Sequence, residues 1–101
     1  QLGWEADLGW VARAGLDPMA TIAPYADRLV AIHTKDIAEP GTAPDEDGWC
    51  ALGQGIVPWP ALLAELQKRV SLFVLEHDKP KDHAAMLKTS YAFLHQHLIA
   101  N

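Results

Sequence analysis

The stretch Leu29-Val30-Ala31-Ile32-His33-Thr34-Lys35-Asp36 decides the reading of this chain. A short apolar run leads into an imidazole, an ammonium and a carboxylate, as in a buried strand whose C-terminal end carries chemistry. Two other segments have the same form: Gly3-Trp4-Glu5-Ala6-Asp7-Leu8 and Ser71-Leu72-Phe73-Val74-Leu75-Glu76-His77-Asp78. Helical patterns lie between them. Strand and helix in strict alternation predict a parallel α/β fold, whose chemistry gathers where the strands end. Asp7, His33 and Glu76 are the side-chain types that hold a divalent metal through oxygen and nitrogen. One such residue at each strand end suggests a shared site.

Alternation along the strands supports that grouping, because successive side chains face opposite ways. With Asp7 inward, Gly3 and Glu5 share its side, and Trp4, Ala6 and Leu8 face the helices. With His33 inward go Ala31 and Lys35, leaving Val30 and Ile32 to pack outward. With Glu76 inward go Leu72 and Val74, leaving Phe73 and Leu75 for the helix layer. The three candidate ligands fall on one face.

The helices have recognisable beginnings. Asp17-Pro18 can cap free amides and open a first turn, and Met19, Ile22, Tyr25 and Ala26 follow at helical spacing. Pro60 opens a second helix with the stripe Leu62, Leu63, Leu66 and Val70, closed by Lys68 and Arg69. A third is expected to start near Asp82, to carry Met86, Leu87, Tyr91, Leu94, Leu98 and Ile99, and to end at Asn101. His83, His95 and His97 are expected to be exposed on it. The connection from Ile37 to about Val57 reads as a long irregular loop, with Pro40, Gly41, Pro44, the acid run Asp45-Glu46-Asp47, Trp49 and Gly53-Gln54-Gly55. A loop of that length in a compact domain is usually a lid or a binding loop.

Composition sets outer limits. The chain has 101 residues, 50% of them apolar and 21% charged, which suits one globular domain and not a disordered segment. A net charge of -5 gives little support to a broad nucleic-acid surface, which needs clustered Lys and Arg. No apolar run approaches the roughly 20 residues of a membrane span, so no membrane partner is expected. Cys50 is the single cysteine and has no internal disulfide partner, which suits a reducing, cytoplasmic setting. The chain opens on Gln1 and enters a strand pattern almost at once. We expect a piece of a longer chain, its C-terminal end.

Taken together, Glu5-Ala6-Asp7-Leu8-Gly9-Trp10, Ile32-His33-Thr34-Lys35-Asp36, Leu52-Gly53-Gln54-Gly55 with Pro58-Trp59, and Leu75-Glu76-His77-Asp78 resemble the last three strand–helix units of the xylose isomerase-like TIM barrels. The resemblance covers nearly the whole chain. It implies that residues 1–101 are the C-terminal three βα units of a (β/α)8 barrel whose earlier strands lie elsewhere. It also implies one divalent ion (Mn, Mg, Co or Zn) held by Glu, Asp, His and Glu from four strands. Asp7, His33 and Glu76 match the last three, and the first Glu belongs to a strand this chain lacks. Glu76 also matches a glutamate that moves the proton in the epimerases of the group. The implied activity is that of a metal-dependent sugar or sugar-phosphate isomerase or epimerase, working through a metal-stabilised ene-diolate. An inosose-type dehydratase on the same scaffold and a sugar-binding barrel without catalysis are the alternatives. A small sugar-like substrate is the implied partner, a homo-oligomer of the full-length protein is left open, and the 101 residues alone are expected to be inactive.

The chain also departs from the pattern. Epimerases and endonuclease IV commonly place a histidine three residues after the Asp, where this chain has Trp10. The endonuclease adds an Asp-x-His in the long loop, where this chain reads Asp47-Gly48-Trp49. Without those imidazoles a three-metal nuclease centre is disfavoured. Trp10 and Trp49 are candidates to line a substrate pocket or to be ordinary buried aromatics. Lys35 is a candidate to orient a substrate oxygen, or to pair with Glu5. Trp4 and Trp59 read as packing residues. Gly53 and Gly55 either admit a ligand close to the backbone or serve turn geometry.

Overall fold

The computed structural model describes residues 2–99. Its elements run β1 (Trp4–Asp7), α1 (Leu8–Arg13), α2 (Pro18–Ile22), a 3₁₀ segment (Ala23–Arg28), β2 (Leu29–Thr34), β3 (Asp36–Ile37), a 3₁₀ turn (Pro44–Glu46), β4 (Trp49–Cys50), α3 (Trp59–Leu66), β5 (Phe73–Leu75) and α4 (His83–Ile99). Strands β1, β2 and β5 form one parallel sheet in that order, and β3 and β4 form an antiparallel hairpin. Parallel neighbours need crossovers. Here α1 and α2 carry the chain from β1 to β2, and α3 carries it from β2 to β5.

The core lies between this sheet and its helices. Ala6 and Ile32 point into it from the strands, where alternation places them, and Leu62, Leu63 and Leu66 meet them from α3. Each of these three leucines is at most 1% exposed, so each contributes roughly 1.5–3 kcal/mol by burial. Phe73 and Leu75 also pack against the core, as their outward parity requires. Trp59 is fully buried and donates its indole N–H to the Lys35 carbonyl at 2.9 Å, joining the start of α3 to the end of β2.

Several elements differ from their sequence expectation. Alternation extends the first strand to Leu8, but Asp7 caps a short helix there by accepting from the Trp10 amide at 3.1 Å. The helix expected over Met19–Ala26 ends at Ile22 and continues as 3₁₀. Pro24 has no N–H to give, and its ring crowds the preceding turn. Asp17 does cap the helix start, accepting from the Ala20 amide at 3.2 Å. Val30, expected against the helices, is 56% exposed. The β1–β2 register slips by one residue between Trp4 and Glu5, so that Trp4 faces Leu29 and Glu5 faces Ala31, passing over Val30. On α4, Asp82 caps through the Ala85 amide at 3.0 Å, and Leu94 is buried. Leu87 and Tyr91 are exposed, while His97 is half-buried against Phe93. The expected helix end at Asn101 lies outside the described residues.

The segment from Ile37 to Val57 is mostly turns and bends, as expected, but it is anchored. It holds the β3–β4 hairpin and two buried apolar anchors, Leu52 and Val57. The Leu52 amide donates to Ser90 Oγ of α4 at 3.0 Å, which docks the outgoing arm on the last helix.

Candidate metal and acid–base site

Three strand ends meet where the parallel register brings them level. Asp7 pairs with His33 across β1–β2, and His33 pairs with Val74 across β2–β5, with Glu76 two residues further on. The register slip is what makes this so. Without it Asp7 would lie beside Ile32, which faces the helices. Bulges beside functional sites commonly re-aim side chains in this way.

One donor atom each from Asp7, His33 and Glu76 lie within 4.8 Å of one another, all three residues half-buried. His33 Nδ1 stands 2.5 Å from Glu76 Oε1, and His33 Nε2 lies against Glu5 Oε1. Hydrogen bonds to Glu5 and then Glu76 outweigh the effect of burial and hold the His33 pKa above its ordinary value. Asp7 divides its two oxygens: Oδ1 caps α1, and Oδ2 takes an ion pair from Lys35 Nζ at 2.8 Å. The capping role and the site role coexist on one side chain.

Lys35 is the centre of charge balance. It is 3% exposed, with Nζ 2.9 Å from Asp78 Oδ1 and 3.4 Å from Glu76 Oε1 in addition to Asp7. Burial alone would lower its pKa, but the hydrogen bonds to Asp7 and Asp78 raise it, so the ammonium form is held. The sequence alternative in which Lys35 pairs with Glu5 is not what the structure shows, since Glu5 turns to His33. Four carboxylates (Glu5, Asp7, Glu76, Asp78) surround one ammonium and one imidazole, a net of -3 with His33 neutral (four negative charges against one positive). That excess of negative charge beside an imidazole fits a divalent cation with oxygen and nitrogen donors.

The two tryptophans separate. Trp10 is 48% exposed, and its Nε1 donates to Asp78 Oδ2 at 3.0 Å, so Asp78 joins Trp10 to Lys35. Trp49 is fully buried, with its ring 4.9 Å from Trp10 and the Arg13 guanidinium 4.8 Å from its centroid. Trp10 and Arg13 cover Trp49, which agrees with the alternative of an ordinary buried aromatic. Arg13 also donates to the Asp47 carbonyl at 2.9 Å, tying α1 to the hairpin tip.

Asp36, whose role the sequence motif does not reveal, organises the adjoining loop. The carboxylate is fully buried. Its Oδ1 accepts from the Ile37 and Val57 amides at 2.9 and 3.1 Å, and its Oδ2 from the Gly53 and Gly55 amides at 2.9 and 3.1 Å. Burial pushes its pKa up, and the four N–H groups act against that rise. Gly53 and Gly55 therefore bring backbone close to Asp36 and Phe93; they do not open space for a ligand. The signal was present in the Asp36…Gly53-Gln54-Gly55 pattern, but nothing local ties residues 17 apart.

His77 packs beside the site, with its side chain 1% exposed and Nε2 3.4 Å from Glu46 Oε2. No helix among the described residues is long and apolar enough to cross a membrane.

No protein-family model matches the sequence, and no curated protein matches it. Among solved structures, the fold is similar to the crystal structure of the probable 3-DHS dehydratase AsbF, involved in petrobactin synthesis, from Bacillus anthracis. The TM-score is 0.70 at 19% identity, over 99% of this chain and 39% of that one. The likeness is one of fold.

Proposed function

We propose that the chain is the C-terminal three βα units of a (β/α)8 barrel, and that it carries most of the site of a divalent-metal-dependent sugar or sugar-phosphate isomerase or epimerase. The observation that carries this reading is the convergence of Asp7, His33 and Glu76 from three strand ends to within 4.8 Å. They would be the protein ligands, with a further carboxylate supplied by an earlier strand. A divalent ion held there would polarise a substrate carbonyl and lower the cost of ionising the neighbouring C–H.

The chain's own residues have distinct parts in that reaction. Glu76 takes the proton from the carbon beside the carbonyl. Lys35, 3.4 Å from the same carboxylate oxygen and fixed by Asp7 and Asp78, keeps Glu76 in place and offsets its charge. Trp10, held at the rim by Asp78, offers its half-exposed indole to the apolar face of a sugar.

One observation favours a second reading. The similar solved structure is a probable dehydratase, and abstraction of the same kind of proton followed by loss of water from the next carbon would need the same base. In the full-length protein, turnover in deuterium oxide should place solvent deuterium beside the substrate carbonyl, and Glu76→Gln should abolish that exchange. Turnover should fall by more than the ~100-fold of a minor proton-transfer contribution. A product lacking one water would select the dehydratase. Near-normal turnover in Glu76→Gln would remove Glu76 as the base.

A further inference from the structure

A histidine ligand has two ring nitrogens, and what the second one touches decides which is free for the metal. In this chain the two are cleanly divided. His33 Nδ1 faces Glu76, a member of the converging cluster, and Nε2 faces Glu5, which does not belong to it. Glu5 reaches Nε2 because the register slip seats it opposite Ala31, two residue pairs behind Asp7 and His33 and on their side of the sheet. Its side chain is 54% exposed, so it retains solvent on the face turned away from the imidazole.

Resting on the metal reading above, we propose that Glu5 is the positioning residue that accepts Nε2–H of His33 and thereby presents Nδ1, stripped of its proton, to the ion. A carboxylate behind a ligating imidazole fixes its tautomer and ring orientation and makes it a stronger donor. Glu5 touches neither ion nor substrate in this role. It acts only through His33, and Lys35 makes no claim on it because Asp7, Glu76 and Asp78 occupy the ammonium.

The test is a calorimetric titration of the full-length protein with Mn²⁺, together with nitrogen shifts of the His33 ring in the Zn²⁺-loaded form. Glu5→Ala should weaken Mn²⁺ by about 10–100-fold, as loss of such a partner typically does. Glu5→Gln keeps an acceptor for Nε2–H and should fall between Glu5→Ala and the unaltered protein. The Zn²⁺-loaded protein should carry its His33 proton on Nε2. Equal losses in Glu5→Gln and Glu5→Ala would make Glu5 a direct ligand and overturn the proposal, as would a proton on Nδ1. If the unaltered protein binds and Glu5→Ala binds equally well, only the role of Glu5 has failed. If the unaltered protein binds no divalent ion, the metal reading itself has failed.

Discussion

The Gly55 amide donates to Asp36 Oδ2 at 3.1 Å, and a side chain on Gly55 would collide with the Asp36 carboxylate and the Ile37 carbonyl. One buried acid thus gathers the end of β2, the exit of the hairpin and the entry to α3. Because Lys35 precedes Asp36 directly, the same anchor holds the ammonium in the site.

Asp36→Ala would leave four amides near the core without their acceptor. Each unsatisfied buried group costs roughly 1–3 kcal/mol, less where water enters. We expect a loss of at least about 3 kcal/mol in urea unfolding of the full-length protein. Gly55→Ala should produce a loss of comparable size through steric conflict. Native-like midpoints in both variants would show that the carboxylate is incidental.

Lys35→Met would keep the length of the side chain and remove the charge that Asp7, Glu76 and Asp78 share. Stripping one partner from a buried ionic group costs about 3–5 kcal/mol. The carboxylates here retain 25–35% side-chain exposure, so a smaller loss of roughly 2 kcal/mol is expected. Mn²⁺ should then raise the melting temperature of Lys35→Met more than that of the unaltered protein. Equal shifts would mean that the lysine and the ion do not compensate the same charge.

Much of this arrangement was legible from residue order. Period-two alternation is local, so placing Ala6 and Ile32 on the helix side and Asp7 and His33 opposite needed only neighbouring residues. Helix starts at Asp17 and Asp82 are local too, and both caps are present. What escaped depends on distance or on competition. The slip at Val30 shows only when two strands are paired. The Asp36 anchor joins residues 17 to 21 apart. The two readings of Trp49 stay open in the sequence because its burial is made by Trp10 and Arg13 from another element. Pro24 did carry a visible stop signal, and the apolar spacing of Ile22, Tyr25 and Ala26 masked it.

Among the described residues, β1 and β5 each have a strand neighbour on one side only. Beside β5 lies a groove of 280 Å³ lined by Leu72, Phe73, Leu75, Tyr91, Leu94 and Leu98. Unpaired edges beside apolar surface invite pairing with another chain. Residues 1–101 expressed alone should therefore self-associate in sedimentation velocity. A monomer that unfolds in one cooperative step would contradict this.

The central claim is that the strand ends of Asp7, His33 and Glu76 hold one divalent ion. The most direct measurement is Mn²⁺ binding to the metal-stripped full-length protein by calorimetry, repeated with His33→Ala and with Asp17→Ala as a remote helix-cap control. The account expects one ion per chain in the unaltered protein and in the control, and at least about 100-fold weaker binding in His33→Ala, which loses a ligand outright where loss of an outer partner costs 10–100-fold. Binding that survives His33→Ala unchanged, or no binding to the unaltered protein, would contradict it.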